Sequence, residues 1–270
     1  MLKTRNLPDV DRLSVLAAAI LLAYALARYV QFPSTKIEFS LLGVYLPIEI
    51  NVNTIVTFFV AGLMATGADW LLRDHPYLGN KSTLEHWLLP SLTAWVIGFP
   101  LYQLPIGPLW WAGFALGGLL LVLVLVAEYI TINPEDVRQP VAAAGLTALS
   151  FSLYLMLAVA TRFAGIRLIQ LLPALTLAAG LVSLRTLHLR LRGQWAFIQA
   201  GIICLISAQL TAALHYLPLS PVSYGLLLLG PIYSLTTLVA NLAEGEPFKQ
   251  AIIEPIFVWI LLLVIAIWLG

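Results

Sequence analysis

One cysteine, Cys204, occurs in 270 residues, and only 10% of the chain is charged, with 14 Lys and Arg against 13 Asp and Glu. A lone thiol inside an apolar run excludes an internal disulfide and a cysteine-based zinc cluster. Recognised motifs are absent too: the chain has no phosphate-binding Gly-rich loop, no aspartate-rich prenyl-diphosphate pair, no Ser-His-Asp arrangement and no retinal-type lysine in a late apolar run. Polar stretches long enough for a soluble domain are also missing. No cofactor is assigned, no metal site is expected, and nucleic acid is not an expected partner.

What is present is apolar. Hydrophobic residues make up 61% of the chain and the mean hydropathy is +0.94. A hydrocarbon core of about 30 Å needs roughly 20 apolar residues per helix. Nine stretches meet that need, at about 13–30, 52–72, 86–104, 108–130, 140–163, 166–187, 195–216, 221–242 and 251–269. Backbone groups in lipid must be satisfied within helices or a closed barrel, and unbroken Leu, Ala, Ile and Val runs exclude the alternating barrel pattern. The expectation is an all-α polytopic membrane protein with about nine transmembrane helices in one bundle, residues 1–270 forming a single integral domain. Ala25-Leu26-Ala27 has the small-x-small form of a signal cleavage site, but the apolar run continues past it, so the first span is expected to stay uncleaved.

With nine spans and the amino terminus inside, ten of the 14 Lys and Arg are cytoplasmic: Lys3, Arg5, Arg12, Arg73, Lys81, Arg138, Arg185, Arg190, Arg192 and Lys249. Arg28, Lys36, Arg162 and Arg167 are external. This bias sets the expected orientation: a plasma (inner) membrane protein with a cytoplasmic amino terminus and an external carboxyl terminus. Between the first two spans, Ile37, Phe39 and Leu41 alternate with polar residues, and Val44, Leu46, Ile48 and Ile50 alternate again. Residues 37–50 therefore read as a short external β-hairpin or an interfacial amphipathic segment. No repeat of solenoid period is visible, and no inverted copy of one half aligns with the other.

Three groups of residues could carry chemistry. Arg28, Arg162 and Arg167 stand on the side that the charge rule depletes, and His215 ends its helix there. Together they could hold a phosphate or another anion, or they could be snorkelling side chains. Cys204, Ser207, Thr211 and His215 lie at helical spacing on one face, and Tyr233 and Ser234 directly follow the Gly230-Pro231 interruption of the eighth span, where a helix break can line a transport site. Each polar set could equally be interhelical packing. His75 and His86, eleven residues apart, lack metal-ligand spacing. Gly113 and Gly117 form a GxxxG contact face, within the chain or towards a homo-oligomeric or membrane-complex partner.

The leading expectation is a protein that binds or carries a lipid-like or amphiphilic anion, with membrane lipids as partners and Arg28, Arg162, Arg167, His215, Ser207, Thr211, Tyr233 and Ser234 as ligand-binding residues. The alternatives are an intramembrane enzyme acting on a lipid, with His215 as acid or base, and a structural or assembly subunit of a membrane complex.

Overall fold

Each of the nine apolar runs contains a helix in the computed structural model, which describes residues 8–29, 35–41, 44–50, 52–79, 82–191 and 193–269. Lys3, Arg5, Lys81 and Arg192 of the basic set lie outside the described residues. The helices are α1 (Val10–Tyr29), α2 (Val52–Leu72), α3 (Leu88–Gln103), α4 (Pro108–Thr131), α5 (Gln139–Phe163), α6 (Leu168–Arg190), α7 (Phe197–His215), α8 (Pro221–Ala243), the four-residue α9 (Phe248–Ala251) and α10 (Ile253–Trp268). Eight segments, counting 248–268 as one, are long and apolar enough to cross a bilayer. The ninth, α3, has 16 residues and is preceded by a 3-10 turn at Leu84–His86. The molecule is a polytopic helical membrane protein.

The alternation at 37–50 folds as a hairpin. Strands β1 (Thr35–Leu41) and β2 (Val44–Ile50) pair antiparallel. Their register sets Ile37 opposite Ile48, Phe39 opposite Leu46 and Leu41 opposite Val44, with Lys36 opposite Glu49 in the alternate row. The pairing thus keeps the period-2 pattern of the sequence in phase across both strands.

The chain divides into two compact units, Met1–Ile132 and Asn133–Gly270. In the first, α1 packs on α2 and α4, α2 on α3, and α3 on α4. Ile20, Met64, Leu71, Ile97, Trp110 and Leu121 lie at its core. The second unit repeats the ring: α5 packs on α6 and α8, α6 on α7, and α7 on α8, while α10 is added against α8.

Sequence and hydrogen bonds agree that the two rings are copies. Leu101-Tyr102-Gln103-Leu104-Pro105-Ile106-Gly107-Pro108 aligns with Leu214-His215-Tyr216-Leu217-Pro218-Leu219-Ser220-Pro221, both reading L-x-x-L-P-x-x-P. The alignment continues ungapped to Glu128 and Asn241, with nine of 28 positions identical, including Gly117 with Gly230 and Val126-Ala127 with Val239-Ala240. Leucine matches alone could arise by chance, but the bonding matches as well. Arg28, at the end of the first helix of its ring, donates to the carbonyls of Tyr102 (3.1 Å) and Leu104 (3.0 Å). Arg162, at the end of the first helix of the other ring, donates to those of His215 (2.8 Å) and Leu217 (2.7 Å). Tyr102 and His215, and Leu104 and Leu217, are equivalent positions. Each arginine satisfies carbonyls left open at a helix end, where the dipole favours a cation. The proline that follows in each copy opens the fourth helix, where its missing N–H costs nothing. The repeat is direct, with a period of about 113 residues and both copies running the same way, and is thus neither of solenoid period nor inverted.

Candidate functional site

The residues expected to bind an anion are used mainly as joints between helices. Arg28 lies in the first unit, and Arg162, Arg167 and His215 lie in the second. Both terminal nitrogens of Arg28 and of Arg162 are engaged by the carbonyls just named. The guanidinium of Arg162 also stands 5.2 Å from the centroid of the Tyr224 ring. Arg28 Nε has no hydrogen-bond partner among the described residues. It borders a cavity of ≈ 20 Å³ walled also by Tyr24, Thr57 and Tyr102, room for about one water. Arg167 is exposed at the start of α6. His215 is half-buried beside the Tyr216 ring, and its Nδ1 has no hydrogen-bond partner among the described residues.

The polar stripe of α7 faces neighbouring helices. Ser207 and Thr211 are fully buried. Ser207 Oγ lies 3.4 Å from Tyr154 Oη of α5, and the Thr211 carbonyl accepts from Tyr224 Oη of α8 at 3.4 Å. Cys204 Sγ donates to the Thr176 carbonyl of α6 at 3.0 Å. On α8, which runs as one helix through Pro231, Tyr233 donates to Glu254 Oε1 (2.9 Å) and Ser234 to the Pro255 carbonyl (2.8 Å). These bonds fasten α10 to α8. Interhelical bonds of this kind average on the order of 0.6 kcal/mol, enough to orient a helix without making a site.

Sequence reading passed over the most costly group in the first unit. Glu128 lies three residues from the end of α4, inside an otherwise apolar run, and is completely buried. Its Oε2 lies 2.7 Å from Nδ1 of His86, itself 5% exposed. His86 is carried to that depth by the 3-10 turn ahead of α3. On the other side of the ring, Nε2 lies 3.5 Å from Glu85 Oε1, whose side chain is 29% exposed. A carboxylate, an imidazole and a second carboxylate thus lead from the surface of the unit to its interior. Ionisable groups at membrane depth are expensive unless paired, and they mark ion or proton paths.

The same end of the first unit is held by further polar contacts. Asp69 accepts from Arg73 Nε at 2.7 Å, an ion pair between residues one helical turn apart, and also from the Thr83 hydroxyl. Arg12 reaches Asp74 at 2.7 Å and the Trp70 carbonyl at 3.1 Å. His75 accepts the Tyr77 N–H on Nδ1 (3.2 Å) and meets the Tyr129 ring edge-on at 4.5 Å. No group of three or more His, Cys, Asp or Glu side chains among the described residues could hold a metal.

The repeat supplies the counterpart of Glu128, which is Asn241, 4% exposed. Its side chain accepts from Arg190 Nη2 at 2.8 Å and donates to the Ala251 carbonyl at 3.1 Å. Arg190 also forms a two-pronged pair with Glu244, 2.9 Å on each prong. In both units the buried polar residue of the fourth helix meets a basic residue from the far end of the second helix or just beyond it, Arg190 as the last residue of α6 and His86 in the turn between α2 and α3. One copy sets an imidazole against a carboxylate, and the other sets a guanidinium against an amide.

A family model described as a protein of unknown function (DUF5656) matches residues 32–269. No curated protein and no solved structure matches the chain.

Proposed function

The chain belongs to the DUF5656 family of proteins of unknown function, and since that membership assigns no chemistry, we propose from the geometry that it is a multi-pass membrane carrier linked to proton movement through Glu85, His86 and Glu128. The observation that carries this reading is a fully buried carboxylate on a membrane helix, 2.7 Å from an imidazole whose far nitrogen faces a partly exposed carboxylate. A proton taken from water by Glu85 passes to His86 Nε2, and the imidazole releases its Nδ1 proton to Glu128 Oε2. The transfer changes the charge buried between α3 and α4, which is what a two-state carrier needs from its driving ion. Duplication of a four-helix unit supports the reading further, because parallel repeats are one of the plans on which secondary transporters are built. In the same reading the protein sits in the plasma (inner) membrane with its amino terminus and Glu85 on the cytoplasmic side, an orientation supported by the basic asymmetry.

The test uses purified protein in vesicles enclosing a pH-sensitive dye, challenged with small-molecule fractions. Wild-type protein should move protons when one fraction is added, and Glu128→Gln and His86→Gln should lose that response at equal incorporation. A response that both variants retain, or none from the wild type, would overturn the proposal.

A further inference from the structure

The second unit carries a depression of ≈ 580 Å³ lined by Arg190, Leu191, Gln194, Ala243 and Glu244. It lies where α6 and α8 end, at the limit of two segments that read as membrane spans. Arg190 and Glu244 are each about a third exposed, at 30% and 38%, so both charges border the space. Trp195 and Phe197, the residues that follow Gln194, stack at 5.1 Å with their rings 8° from parallel, and both are exposed. Exposed aromatic pairs of this kind belong at the headgroup level of a bilayer, where one side is apolar and the other wet.

We propose that this depression binds the headgroup of an aminophospholipid, a phosphate joined to a primary ammonium. The phosphate replaces Glu244 on the guanidinium of Arg190, whose fork matches phosphate oxygens, with the Gln194 amide as a second donor. The ammonium takes the released Glu244 carboxylate, and the glycerol backbone lies towards Trp195 and Phe197. Exchange costs little, since an exposed ion pair contributes little net stability. Asn241 keeps its bond to Arg190 Nη2 at 2.8 Å, so the guanidinium stays in place when Glu244 lets go. A plain anion would meet the Glu244 carboxylate and leave it without a counter-charge, and a choline group has no N–H to give it. The complementary charges therefore select a zwitterion with an N–H donor. This site rests on neither the proton relay nor the carrier reading.

Delipidated protein in detergent, offered equal amounts of phosphatidylethanolamine, phosphatidylglycerol and phosphatidylcholine, can be read by native mass spectrometry. The expected result is retention of phosphatidylethanolamine about tenfold above the other two, with displacement by excess soluble phosphoethanolamine. Glu244→Gln should reverse the preference towards phosphatidylglycerol while retaining total lipid, an effect that lost packing would not produce. Arg190→Gln should abolish selectivity, and Gln194→Ala, which leaves the ion pair intact, should weaken retention without changing the order. Equal retention of the three lipids by wild type, preference for phosphatidylglycerol, no displacement by phosphoethanolamine, or a Glu244→Gln variant with unchanged preference would each overturn the site.

Discussion

Buried charge dominates at the residue scale. Breaking a buried pair by removing one partner strands the other, at a cost of about 3–5 kcal/mol, so Glu128→Gln and His86→Leu should each lower the melting temperature of the purified protein sharply. The double variant Glu128→Leu/His86→Leu should be less damaged than the sum of the two single changes, and a double-mutant cycle measures that coupling; strict additivity would mean that the pair does not act as a unit. The arginines behave differently because they are partly exposed. Arg162→Gln removes two charge-assisted bonds to the His215 and Leu217 carbonyls, each worth about 1.5–3 kcal/mol when buried and less under solvent screening. Lysine at 162 should rescue only part of the loss, since a point charge cannot span both carbonyls. Sequence alone marked Arg28 and Arg162 as anomalous by their side of the membrane, but their acceptors are backbone carbonyls, which leave no trace in residue type. Glu128 went unnoticed for a related reason. Its partner is 42 positions away, and a single acid near the end of an apolar run looks like the edge of a span.

At the scale of the element, close packing explains which glycines matter. A Cβ on Gly117 would stand 2.7 Å from Ile97 Cγ2 of α3, and one on Gly230 the same distance from Trp259 Cδ1 of α10. The expected GxxxG face of α4 is thus an internal contact at Gly117, whereas a Cβ on Gly113 would meet only ordinary contact. Gly117→Val should destabilise by about 1–3 kcal/mol, the usual cost of overpacking. Gly145 of α5 has nothing within 4 Å of a Cβ position, and Gly145→Ala should stabilise by up to about 1 kcal/mol through helix propensity. Paired thermal melts of the two variants should move in opposite directions. The hairpin and the helix positions were legible because each rests on a local period, two for β1 and β2 and a long apolar run for the helices. Ring packing was not legible, because which helix meets which depends on contacts far apart in the chain.

The direct repeat governs the whole molecule, and it was hidden by the way it diverged. The matched motif lies in a loop and the start of a helix, where hydropathy carries no signal, and the fourth helices differ at their buried polar residue, Glu128 against Asn241. The number of crossings then turns on α3. Its 16 residues span about 24 Å at 1.5 Å per residue, short of the roughly 30 Å of a hydrocarbon core. Yet α3 joins both ends of α4: His86, just before it, meets Glu128 near the end of α4, and the Leu101 carbonyl accepts from Trp110 Nε1 near its start at 3.0 Å. Since α4 has 24 residues and is itself long enough to span, a segment bonded to it at both levels traverses the same layer. The 3-10 turn at Leu84–His86 supplies the missing length. The chain should therefore cross nine times and place its termini on opposite sides. Reporter fusions at residues 1 and 270 measure this directly, one active only in the cytoplasm and one only outside. The same location at both ends would make α3 a re-entrant segment and reverse the side of every loop that follows it, while Glu85 and His86, which come before α3, would stay on the side of the amino terminus.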